Sequence, residues 1–104
     1  MKNRVKRIEE MERYLDASRR AVDDLEKAVT AYEAVQKEYK KLSDYYGSVR
    51  WMDDYEAGEA GKLPADLKRG VLSEDAVYDL ITDNHDLAIR MLRIVARALE
   101  DHTL

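Results

Sequence analysis

An all-α fold is predicted, either an antiparallel helical hairpin or a three-helix bundle. It has a long N-terminal helix, a short middle helix and a long C-terminal helix. Three observations predict it. Lys2 to Tyr46 contains no Gly or Pro and is rich in Glu, Lys, Arg and Ala, all good helix formers. Apolar residues recur at alternating spacings of three and four in both halves of the chain. The Gly residues after Tyr46, with the single Pro64, fall between those halves and supply the breaks.

The first helix is expected over about 3–46. Ile8, Met11, Leu15, Ser18, Val22, Leu25, Val29 and Tyr32 mark one seam along it. The next place in that register is the polar Gln36. The apolar line moves instead through Val35, Tyr39, Leu42, Tyr46 and Val49. Tyr14, Ala17, Ala21, Ala28 and Ala31 lie beside the first seam and widen it, which suits a helix with more than one neighbour. Such a helix would be roughly 60–65 Å long, so a bend, or exposure of one end to a partner, is expected.

Gly47 and Ser48 form the first credible break, although a single Gly would also permit continuation. Ser48 can cap a short helix over about 48–57. The connection 58–72 carries Gly58, Gly61, Pro64 and Gly70, and Leu63 and Leu67 are expected to pin it to the core. Ser73 then caps a helix over about 74–100. Its first turn holds Glu74 and Asp75, Leu72 is placed to staple it, and Asn84 is the one point of expected irregularity. One helical domain, 1–104, is the simplest division for a chain of 104 residues.

Composition narrows the function classes. There is no cysteine, which removes disulfides, thiolate metal sites and cysteine nucleophiles. The formal charge is −4, with eleven basic against ten acidic residues in 1–45 and three against seven in 71–104. Neither part has the basic excess that tight nucleic-acid binding draws on. No apolar run has membrane-spanning length, and the charged start lacks a signal-peptide core, so no membrane association and a cytoplasmic location are expected.

Few residues are candidates for chemistry. Asp75, Asp79 and Asp83 share a helical face, followed by Asp86 with His85 nearby. A cation would relieve their mutual repulsion, but no metal-ligand spacing accompanies them, and a solvated acidic face accounts for them. Lys37, Lys40, Lys41 and Arg50 are interspersed with acids. Arg90, Arg93 and Arg97 suit the negative end of their own helix, and His102 falls in an expected frayed tail. The densest aromatic patch is Tyr45, Tyr46, Trp51 and Tyr55 beside Asp53 and Asp54. It is either the cover of a thin core or a hot spot for a protein partner. Lys68 and Arg69 are expected to fold back and pair with Asp53 or Asp54.

Tyr45-Tyr46, Ser48, Trp51 and Asp53 or Asp54, followed by Leu63-Pro64, Leu67 to Arg69 and Gly70-Val71-Leu72-Ser73-Glu74-Asp75, carry a resemblance. The chain resembles a family of small uncharacterised helical proteins from mainly Gram-positive bacteria, a domain of unknown function. The resemblance implies a compact helical cytoplasmic protein and assigns no activity to any residue. The expected function is a noncatalytic helical interaction or adaptor protein without a cofactor, acting on a protein partner or by self-association as a homodimer. The rival reading is a small metal-dependent or acid–base enzyme using the clustered carboxylates.

Overall fold

The computed structural model describes residues 1–104 and is all-α, without a strand. Four helices follow one another: α1 (Lys2–Ala34), α2 (Gln36–Tyr46), α3 (Val49–Glu59) and α4 (Glu74–Glu100), with a 3-10 turn at Gly70–Leu72 before α4. The chain divides into two units, Met1–Tyr39 and Lys40–Leu104.

The first unit is α1 and the start of α2. No residue of α1 is buried. Local pairs decorate its surface: Tyr14 Oη donates to Glu10 at 2.5 Å, and Arg19 pairs with Asp23 at 2.9 Å. Such exposed pairs are screened by water and contribute little to stability. The helix expected over 3–46 is divided at Val35, a correction with a local cause. The division falls where the apolar line changes register, Val29, Tyr32 and Val35 being spaced three plus three. The backbone tightens there, with Val35 N donating to Tyr32 O at 3.3 Å and Val35 at φ −101°, ψ 5°. The ladder resumes with Tyr39 N to Val35 O at 2.8 Å.

The second unit is organised by its helix ends. α2 stops at Tyr46, and Ser48 takes an extended conformation (φ −102°, ψ 163°) as the cap of α3. Ser48 Oγ accepts from Trp51 N at 3.3 Å and donates to Tyr45 O at 2.6 Å, so one hydroxyl serves the end of α2 and the start of α3. α3 closes in a Schellman motif, with Lys62 N to Ala57 O at 2.9 Å and Gly61 N to Gly58 O at 3.1 Å. Gly61 sits at φ 71°, where a side chain would be strained.

Ser73 repeats the device before α4, accepting from Ala76 N at 3.1 Å and donating to Gly70 O at 2.9 Å. α4 runs through Asn84 without a break. Its end is a second Schellman motif, with Thr103 N to Ala98 O at 2.9 Å and His102 at φ 58°. His102 takes the left-handed position of that motif.

The core of this unit is small. Trp51 and Val77 are the buried apolar residues. Leu42, Val71, Ala76 and Leu80 line an apolar depression together with Val77. Leu63 is half-buried against Gly58, whereas Leu67, expected to pin the connection, stays 48% exposed. Pro64 O accepts from Leu67 N at 3.2 Å in the tight turn that holds it at the surface.

Candidate functional site

The aromatic patch read from the sequence is assembled in the second unit, with Trp51 at its centre. Trp51 and Tyr55 are four apart on α3 and therefore share a face, on which their rings stack with centroids 5.3 Å apart and planes at 15°. Tyr46, from the end of α2, meets Trp51 edge-on at 5.2 Å and 73°. Both geometries are favourable for aromatic pairs. The indole N–H donates to Val71 O at 2.9 Å, which ties α3 to the 3-10 turn. Tyr46 Oη donates to Glu74 O at 3.1 Å, and Tyr55 Oη to Glu74 Oε1 at 3.3 Å, which ties the first turn of α4 to the same cluster. Tyr46 of α2, Tyr55 of α3 and the 3-10 turn thus meet one buried indole, and the first turn of α4 is tied to its two tyrosine neighbours.

The electrostatics follow from these contacts. Tyr45 Oη donates to Asp54 Oδ2 at 2.5 Å, and that hydrogen bond pushes the Tyr45 hydroxyl up to about 12. The Tyr55 hydroxyl is also raised, first by the charge of Glu59 and then by that of Glu74. In both cases a neighbouring carboxylate disfavours the phenolate.

The expected pairing of Lys68 or Arg69 with Asp53 or Asp54 does not form. Arg69 Nη1 instead donates to Gly58 O at 3.5 Å, near the end of α3. The helical turn explains the difference. At about 100° per residue, Gly58 and Tyr55 lie on the Trp51 side that faces the connection, while Asp53 lies nearly opposite. Asp54 is turned towards α2 and is taken by Tyr45. Lys68 lines the apolar depression beside Val71 and Val77. Arg69, Tyr55, Gly58, Leu72 and Glu74 line an open groove next to the cluster.

The carboxylates at 75, 79, 83 and 86 are not gathered into a ligand set: no group of three or more His, Asp or Glu converges where a metal could be held. They follow the surface of one helix. Sequence reasoning missed the roles of Val71 and Glu74. Val71 acts through its backbone carbonyl and Glu74 through both its carbonyl and its carboxylate, and Tyr46 and Glu74 are twenty-eight residues apart. No spacing rule reaches that far.

A second feature is the apolar surface left in water. On α1 the seam residues Ile8, Met11, Leu15, Val22, Leu25, Val29 and Tyr32 are between 38% and 60% exposed. On α4, Leu87, Leu92, Ile94, Val95 and Leu99 are between 47% and 69% exposed. No helix is long and apolar enough to cross a membrane.

These features define an all-helical protein in which an aromatic joint links short segments, while two long helices present apolar rows to solvent. The chain belongs to the family described as domain of unknown function (DUF4298), whose model matches residues 8–94. No curated protein and no solved structure matches it. The matched span covers the α1 seam, the aromatic joint and most of α4.

Proposed function

We propose that this chain is a noncatalytic helical interaction protein that works through the apolar rows of α1 and α4. One observation carries the reading: the seam from Ile8 to Tyr32 keeps its three-and-four spacing over about seven turns of α1, with Ser18 as its one polar place, and its apolar side chains are exposed. Scattered exposed apolar residues need no explanation, but an aligned row of this length exceeds what a monomer ordinarily leaves in water. Covering each half-exposed side chain contributes about 1 kcal/mol, enough in sum to drive association. The helical hairpin or three-helix bundle predicted from the sequence, formed within one chain or between chains with coiled-coil-like packing, is the arrangement that would cover such rows. Trp51 is only 8% exposed, so the aromatic joint supports the helices and the contact falls to the long rows.

The test compares the full chain with a Leu15→Asp, Leu25→Asp variant, by solution mass and by capture of interacting proteins. Association should be lost in the variant while the emission of Trp51 is unchanged. Equal association of both proteins, or none by either, would remove the proposal.

A further inference from the structure

We infer that the occupant of the α1 seam is α1 of a second copy, packed antiparallel, with residue i level with residue 33 − i of the other chain. The inference rests on the interaction reading above and narrows it to one partner and one orientation.

Charge decides the orientation. The first turns of α1 hold Lys2, Arg4, Lys6 and Arg7 with no acid among them, while the segment from Asp24 to Glu33 holds three acids (Asp24, Glu26, Glu33) against Lys27 alone. Parallel pairing would set the basic ends side by side and place Arg4, a seam position, on Arg4. Antiparallel pairing sets each basic end along the acidic segment of the second copy. Opposed helix dipoles favour the same arrangement.

Side-chain size and position decide the register. The seam residues Ile8 and Met11 fall level with Leu25 and Val22 of the second copy, Leu15 meets the small Ser18, Val29 lies along the aliphatic stem of Arg4, and Tyr32 falls level with Met1. On one flank Tyr14 lies over Ala21 and Arg7 over Ala28, large side chains against small ones. On the other flank Glu12 lies beside Arg19 of the second copy, twice by symmetry. Arg19 already turns towards Asp23 on its own helix at 2.9 Å, with 64% of its side chain in water, so it can serve both carboxylates.

Three measurements on the full chain test this. Sedimentation should give a dimer whose dissociation constant rises about threefold to thirtyfold on Glu12→Arg or on Arg19→Glu, and recovers in the double variant. The chain has no cysteine, so a spin label can be placed uniquely on the outward face with Lys6→Cys. The two labels should be about 30–35 Å apart along the axis, because residue 6 lies level with residue 27. Labels closer than about 20 Å would mean parallel pairing and overturn the inference. So would a chain that stays monomeric; if that monomer captured another protein through Leu15 and Leu25, the broader proposal would stand without this one. Failure of the charge exchange to restore association would overturn the register.

Discussion

Replacing Trp51 tests what holds the second unit together. Trp51→Ala removes the ring that contacts Tyr46 and Tyr55 at 5.2 and 5.3 Å, together with the indole N–H bond to Val71 O. Truncation of a buried tryptophan costs about 3–5 kcal/mol. The neighbours here are only half-buried and can relax into the space, so a loss near 3 kcal/mol, the lower end of that range, is expected. A unit the size of Lys40–Leu104 has a total stability of roughly 3–10 kcal/mol, so most of a modest margin would go. The melting temperature should fall by at least ~12 °C. Trp51→Phe separates the contributions, because it keeps an aromatic ring and deletes the N–H bond. Its cost should be about 1–2 kcal/mol. Urea unfolding followed by circular dichroism measures both variants without relying on indole emission. If Trp51→Ala lost less than about 1 kcal/mol, far below the cost of truncating a buried tryptophan, the ring would not be the joint described here. If Trp51→Phe cost as much as Trp51→Ala, the hydrogen bond rather than ring packing would be the main tie.

Two further outcomes are expected. The Tyr45 hydroxyl titrates near 12 rather than its usual 10, so its contribution to stability is fully present below pH 10 and is lost as the pH rises towards 12. Asp54→Asn should return the phenolate transition, followed by ultraviolet absorbance, towards the ordinary value; an unmoved transition would mean that Asp54 is not its cause. The two glycines of the α3 terminus should respond with opposite signs to alanine. At Gly58 an added Cβ meets Leu63 Cδ1 at 3.5 Å, Arg69 Nη1 at 3.7 Å and Leu72 Cδ1 at 3.8 Å, all ordinary contacts, so Gly58→Ala should stabilise by about 0.5 kcal/mol. Gly61, at φ 71°, should lose about 1 kcal/mol as Gly61→Ala. Thermal melts of the two single variants decide the matter, and equal signs would contradict the assigned backbone.

Much of the architecture was legible without coordinates because it is local. Helix identity follows from residues three and four apart, and caps follow from a hydroxyl and the amide three residues later. Ser48 and Ser73 therefore announce α3 and α4 from the sequence, and both bonds are present. The register change after Tyr32 was also visible, and it marks the tightened turn at Val35. What it means for the backbone was not visible, since a shifted apolar line can be met by a bend, by a second neighbour or by an overwound turn.

The candidate site divides in the same way. Which residues form the aromatic patch could be read from their density along the chain. That Trp51 is buried could not, because the carbonyl that takes its indole N–H, Val71 O, comes from the 3-10 turn twenty residues further on. The pairing expected between Arg69 and Asp53 or Asp54 failed for a geometric reason. Neighbours on a helix diverge by about 100°, and only the observed rotation of α3 decides which of its residues face the connection. Sequence alone determined the all-helical character, the capped starts of α3 and α4 and the spacing of the apolar positions, all consequences of bonds and spacings within a turn or two. The tertiary structure decided which aromatic side chain of the second unit is sealed from water, because burial depends on what later segments of that unit bring alongside.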